Sequence, residues 1–361
     1  MIDNQYINLQ ADCLLVGQGI AGTVLAYSLI KQGKSVIVVD KEYPNSASRV
    51  AAGLYNPIVF KLFTKSWKID EALPFADEFY AELEDFLKIK FYHKKRVHKV
   101  FGAQEEREQW EKKKDLPDMQ PYINPELQHY FNDEQVNQSF GSAAVNGAGN
   151  LEVVKMLDGF REHLKLQRAL VEEVFNYNEI ELLPGKVNYK GITADTLIFC
   201  EGYKIEQNPF FSWLPFKLTK GEILTIHAPL LKSDEIMNRG VFVLPLSDDL
   251  YRVGATYNWD DLTEETTTAG KEELVSKLDK LLKAPYKIVD HVAGIRPTVS
   301  DRRPLLGKHP IHQTLAVFNG LGTKGVQLAP YFANELVNHL LHNTPLDDEA
   351  NINRFYKKFT E

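Results

Sequence analysis

Gly17, Gly19 and Gly22, in the run Gly17-Gln18-Gly19-Ile20-Ala21-Gly22, are spaced to hold a pyrophosphate against backbone amides. Gly17 makes the tight turn, Gly19 lets the backbone approach the phosphates, and Gly22 lets the following helix lie close to the preceding strand. The N-terminus of that helix supplies unpaired N–H groups and the positive end of its dipole. Asp40 stands eighteen residues beyond Gly22. A carboxylate there accepts hydrogen bonds from a ribose diol and repels a 2′-phosphate. The chemistry these residues point to is adenine-dinucleotide binding. A glycine-rich turn in an ordinary α/β domain is the competing reading, and it gives Asp40 no task.

Positioning these residues requires a strand, a helix and a second strand. Residues 13–16 are an apolar strand, and a helical pattern follows to Gln32, with Gly33 as its stop. Residues 35–39 form the second strand and end on Asp40. Further on, Leu73, Phe75, Ala76, Phe79, Tyr80, Leu83, Phe86 and Leu87 recur near helical spacing over 70–92, and 151–164 reads as another amphipathic helix. Residues 216–257 read as strands separated by polar or proline-containing turns. Helices are expected over 271–283 and 328–341, with a strand over 315–319. The mixture predicts an α/β fold, a cofactor domain interrupted by a separate antiparallel sheet.

At 361 residues the chain is long for one core and suggests two domains. Hydrophobic residues at 44% and charged residues at 25% match ordinary globular proteins, and a net charge of -7 gives no electrostatic reason to expect nucleic acid. The basic runs at 93–96 and 112–114 read as solvated faces, the second beside Glu105, Glu106, Glu108 and Glu111. Cys13 and Cys200 sit in apolar runs and read as buried small hydrophobes, not a disulfide or a metal pair. No Ser/His/Asp or metal-ligand constellation stands out. Residues 1–12 lack the basic and apolar regions of a signal peptide, and no apolar run reaches membrane-spanning length. The expectation is a reduced, cytoplasmic, soluble protein.

Several segments, in order along most of the chain, together resemble the FAD-dependent D-amino acid oxidase superfamily. The subgroup they resemble most is that of glycine oxidase, sarcosine oxidase and the oxidase half of a bacterial tRNA-modifying enzyme. The segments are GQGIAG with Asp40, 46–57 (SASRVAAGLYNP), 145–151, 198–202 (IFCEG), 220–222 (KGE), 253–256 (VGAT), GIRPTVSDRRPLLG and NGLGTKGVQLAP. The resemblance implies FAD rather than NAD, and a Rossmann-type FAD-binding domain with an inserted antiparallel substrate domain plus helices. The FAD-binding domain would be discontinuous, over 1–69, 141–205 and 290–361, with the substrate domain over 70–140 and 206–289. FAD would be non-covalent, because no cysteine lies near GIRPTVSDRRPLLG, where sarcosine oxidases attach their flavin.

Site residues follow from the same resemblance. Gly17, Gly19, Ile20, Ala21, Gly22, Asp40 and Lys41 would hold the nucleotide end, with Val174, Glu201 and Gly202. Ser46, Ser48, Ala51, Ala52, Gly53 and Leu54 belong to the stretch that runs past the pyrophosphate and beside the flavin ring, where small residues let the backbone lie against a flat tricycle. Gly320, Gly322, Thr323, Lys324, Gly325 and Val326 form the turn into the last helix, whose free N–H groups and dipole would face the flavin pyrimidine edge. Lys324 either adds a full charge there or stands solvated. Arg296, in GIRP, is where family oxidases hold the substrate carboxylate over the flavin. The alternative for Arg296 is an ion pair with an acid in the sheet. Asp301 and Arg302 would shape the turn that follows.

Three positions depart from the family pattern. Phe242 stands where glycine oxidases carry a substrate-binding tyrosine, and Thr323 where they carry a second arginine. Tyr55 and Tyr257 are candidate substitutes, and each also has a purely structural reading. Glu201 stands where a small residue is usual, and it either points to solvent or reaches the nucleotide. The expected function is oxidation of the C–N bond of a small amino acid or N-substituted glycine. Hydride would pass to flavin N5, the imine would hydrolyse, and oxygen or another acceptor would reoxidise the flavin. The alternatives are a tRNA-modification oxidase acting on a carboxymethylaminomethyl group and a catalytically inert flavin-binding module. No metal, nucleic acid or membrane partner is expected, and a homo-oligomer is left open.

Overall fold

The computed structural model describes residues 9–360; residue 361 and residues 1–8, most of the segment inspected for signal-peptide character, lie outside the described residues. In chain order, β1 (Leu9–Val16), α1 (Ile20–Lys31) and β2 (Val36–Val39) build the expected unit, followed by the short α2 (Ala47–Val50) and the long α3 (Ile69–Leu87). Next come α4 (Val153–Leu166), β3 (Ile192–Phe199), β4 (Thr219–His227), β5 (Val241–Pro245), β6 (Leu250–Gly254) and β7 (Lys287–Arg296). The last elements used below are β8 (Leu315–Asn319) and α5 (Gly325–His342).

The first sheet runs Leu170–Val171, β2, β1, β3, Lys186–Tyr189, Ile180–Leu183, and β8 also pairs with β3. The pairs β2–β1, β1–β3 and β3–β8 are parallel. Such a sheet is covered on both faces, which is why β2 (VIVV) and β8 (LAVFN) are apolar-rich and buried at every position. One face packs on α1, α3, α4 and α5, and the other on an aromatic cluster with Tyr189, Phe199 and Phe211. The register sets Val16 beside both Val39 and Phe199, and Phe199 beside Val317. The carboxyl ends of four strands therefore finish in line, and ligands of open α/β sheets bind in the crevice outside such ends.

The second sheet runs β7, β4, β6, β5, Ile236–Arg239, Val97–Val100, Ser142–Val145, Ile123–Gln128. All its pairs are antiparallel except Ile236–Arg239 with Val97–Val100. Its outer face is closed by the helix Thr268–Leu281 through Leu274, Leu278 and Leu281.

Strand pairing differs in three places from the division expected from the sequence. A boundary at residue 290 cuts β7, which pairs with β4 along its whole length. Residues 142–145 pair within the second sheet, not the first. The helix α3, assigned to the substrate domain, packs its apolar stripe on α5 at the first sheet. Local periodicity marks a buried face but not the partner that covers it.

Candidate active site

A cavity of about 680 Å³ lies along the carboxyl ends of the first sheet and reaches the near face of the second. At one end the chain turns after β1 through Gly17, with φ +96°. A Cβ at Gly22 would overlap the Gly17 carbonyl, so only glycine lets α1 start this close to the strand. Gly19, Ile20 and Ala21 line the cavity, and Ile20 N donates to Ser48 Oγ at 3.0 Å. The Ser48 hydroxyl is thus anchored at the positive end of α1.

Asp40 is held on three sides. It accepts from Gln18 N at 2.9 Å, Glu42 N at 2.7 Å and Arg161 Nη1 at 2.9 Å. Arg161, buried on α4, also donates to Gln18 Oε1 and Glu172 Oε1, both at 2.9 Å. Lys41, Val174 and Gly202 border the same end. Glu201 does not point to solvent: it faces inward, accepting from Tyr177 Oη at 2.5 Å and Asn208 Nδ2 at 2.8 Å. Burial pushes its carboxyl up to about 7.

Midway, Ser46, Ala51, Ala52, Gly53 and Leu54 form one wall. Gly53 has φ +70°, and its carbonyl accepts from Leu151 N at 2.9 Å. A Cβ at Gly53 would overlap the Leu151 carbonyl, so the segment is fixed from behind at this point.

At the far end two cations meet the cavity. Lys324 stands at the N-cap of α5, beside Gly322, Thr323, Gly325 and Val326, and its Nζ donates to Asn56 O at 3.1 Å. Burial lowers its pKa to about 8. Arg296 ends β7, and Nη1 and Nη2 donate to the carbonyls of Lys220 and Thr256 at 3.2 to 3.3 Å. Its Cζ lies 4.5 Å from the ring centroid of Tyr257. No carboxylate among the described residues pairs with Arg296, which removes the ion-pair alternative, and burial lowers its pKa. Gly221 makes room for it, because a Cβ there would overlap the guanidinium. Phe242, Ile223 and Leu54 give this end an apolar side.

Three expected site residues do not line the cavity. Gly22 and Gly320 lie behind their turns and act by close packing. Tyr55 is a correction. Its neighbours Leu54 and Asn56 face the cavity, so alternation along an extended segment turns Tyr55 away. Its ring stacks on Tyr92 at 4.9 Å, its hydroxyl donates to His93 O at 3.2 Å, and it is 2% exposed. Tyr257 does line the cavity and is half exposed. Sequence reasoning missed Asn56, Arg161, Tyr177, Asn208 and Gly221. Asn56 and Gly221 lay inside quoted motifs, whereas Arg161, Tyr177 and Asn208 act across contacts that no local spacing reveals.

The chain belongs to the FAD dependent oxidoreductase family, whose profile matches residues 12–339. It is 23% identical over 365 residues to a glycine oxidase of Bacillus licheniformis, covering 92% of this chain and 93% of that protein. It is 24% identical over 381 residues to the bifunctional protein ThiO/ThiG of Trichormus variabilis; the match covers 96% of this chain but only 55% of that relative's length. The crystal structure of glycine oxidase from Geobacillus kaustophilus shares the fold, with a TM-score of 0.77, 20% identity, and 96% and 98% of the two chains covered.

FAD is therefore the cofactor, and the cavity fits it on its own chemistry. An acceptor carboxylate (Asp40) and a helix N-terminus stand at one end, and a flat wall of small residues stands midway. A buried, carboxylate-free lysine at a second helix N-terminus stands at the other. Among the described residues no group of three or more His, Cys, Asp or Glu could hold a metal ion. No helix among them is long and apolar enough to cross a membrane.

Proposed function

We propose that this chain oxidises the C–N bond of a small amino acid or N-substituted glycine. One observation carries the reading: Arg296 is an enclosed guanidinium on the cavity wall, bonded only to main-chain carbonyls. A buried cation left without an anion is unfavourable, and a carboxylate matches its fork with two parallel hydrogen bonds. Fixing the carboxylate fixes the α-carbon, which is what close approach to a hydride acceptor requires. FAD, held along this cavity, would supply that acceptor: it would take up a hydride from the α-carbon while the nitrogen lone pair closes the C=N bond of an imine that water hydrolyses. Oxygen or another acceptor then takes the electrons.

The other residues follow from this placement. The Tyr257 ring backs the Arg296 guanidinium, holding its plane without neutralising it. Phe242 and Ile223 offer no hydrogen bond to the substrate, so they favour an apolar side chain or N-substituent. Among the described residues lining the cavity there is no histidine, and the acids are at the nucleotide end. The amine must be neutral when hydride leaves, because its lone pair forms the C=N bond. Lys324, at the positive end of α5, supports negative charge gained by the cofactor.

The test compares Arg296→Lys and Arg296→Met with the parent for reduction of bound FAD by amino acids without oxygen. The expected result is retained FAD with reduction slowed by about 100-fold or more, because one partner of a buried charge pair has been removed. Reduction of Arg296→Met at the parent rate would overturn the reading.

A further inference from the structure

The wall formed by residues 51–53 is gripped from behind by a cation that the proposed reaction does not use. Arg252, on β6, donates from Nη1 to Val50 O at 3.0 Å and to Ala51 O at 3.2 Å. Within its sheet it stands beside Thr225 on β4 and Leu244 on β5. No carboxylate among the described residues pairs with it; Asp290 on β7 acts only at longer range, and burial lowers the guanidinium's pKa. Two main-chain carbonyls are thus its polar partners. A guanidinium set on carbonyls in place of an acid orients those carbonyls.

The helix α2 ends with Ala51 N donating to Ala47 O, and Ala51 has φ -55° and ψ 140°. The bond between Ala51 and Ala52 is trans. In a trans peptide the carbonyl and the N–H point in opposite directions. With the Ala51 carbonyl turned to Arg252, the Ala52 N–H points away from the guanidinium. It has no acceptor among the described residues, and Ala52 lines the cavity. The charge-assisted bond on the carbonyl also polarises the amide, strengthening its N–H as a donor.

We propose that Arg252 is a positioning residue: it turns the Ala51–Ala52 peptide so that the Ala52 N–H faces the flavin and stabilises the charge gained on reduction. This rests on the reading that the flavin ring lies beside residues 51–53.

The test measures the midpoint potential of bound FAD in Arg252→Met, Arg252→Lys, Ala52→Pro and the Arg252→Met/Ala52→Pro pair. Ala51 already has the extended backbone that a following proline requires, and Ala52→Pro removes the donor. Arg252→Lys keeps the charge and the fold but loses the fork. In all three single variants the reduced-to-oxidised ratio at fixed poise should fall about tenfold, roughly 30 mV for a two-electron couple. The pair should fall no further than either of its members. A shift in Ala52→Pro alone would overturn the role of Arg252 while keeping the ring beside 51–53. A shift in Arg252→Met alone would mean that its charge acts through space, and would overturn the positioning role. No shift in any variant would show that the placement of the ring itself has failed.

Discussion

Replacing Gly221 by alanine tests the proposed role of Arg296 as substrate anchor while leaving that residue in place. Gly221 lies on β4 opposite Gly294 on β7, and an added Cβ would stand 2.5 Å from Arg296 Nη1 and nearer still to Cζ and Nη2. Ordinary carbon–nitrogen contact needs about 3.5 Å and Nη2 would lie at 1.8 Å, so the guanidinium must retreat by roughly 1.7 Å. Its bonds to Lys220 O and Thr256 O are already at 3.2 to 3.3 Å and cannot hold it in place. A misplacement of this size in a substrate-positioning group lowers rate by about 100-fold, equivalent to roughly 2.7 kcal/mol in kcat/KM. Alanine is otherwise acceptable in a strand and removes freedom from the unfolded chain, so the melting temperature should move little. The assay is anaerobic flavin reduction against substrate concentration, with FAD content and thermal melting measured alongside. A variant with full FAD content and kcat/KM within about threefold of the parent would refute the steric argument, and with it the role given to Arg296.

Other outcomes follow from the same geometry. Lys324→Met should make bound FAD harder to reduce, read as a lower midpoint potential; an unchanged potential would remove Lys324 from the cofactor's charge balance. In the FAD-free protein, Lys324 has a folded pKa of about 8 against an ordinary 10.5, so the unfolded chain binds more protons between those values. Its contribution to stability should therefore rise from about pH 8 to 10.5, and chemical unfolding of the parent against Lys324→Met should show that difference. Glu201 has the opposite sign: raised from 4.5 to about 7, it binds more protons when folded, and the stability it lends is lost as pH rises through that window. Glu201→Gln should flatten this slope, and Gln can still bond both Tyr177 and Asn208. Arg161→Met should weaken FAD binding about tenfold by releasing Asp40, measured by titration of FAD into the FAD-free variant.

What could be read from the sequence, and what could not, follows contact range. The strand–helix–strand unit was legible because Gly17, Gly19, Gly22 and Asp40 mark it through spacing along a single stretch of chain. Arg296 and Lys324 were legible through their motifs, although nothing local said that Arg296 would lack an acidic partner. Tyr55 was misplaced because a motif gives position along the chain but not which face of an extended segment a side chain takes. Arg161 and Arg252 were invisible: the first reaches Asp40 across 121 residues, and the second reaches Ala51 across 201. The boundary expected near 290 falls inside β7 for a related reason, since that strand is held by its pairing with β4 and not by its own composition.

The most direct test of the account is the visible spectrum of the FAD-loaded protein, recorded without oxygen, as paired compounds are added. Each pair is an amino acid (glycine, sarcosine, proline or a D-amino acid) and the same amine lacking its carboxylate. The account predicts that at least one carboxylate-bearing amine bleaches the flavin while its decarboxylated partner does not, because Arg296 is the anchor the substrate must fill. Equal bleaching by both members of a pair, or bleaching by no amine in a protein that holds FAD, would contradict it.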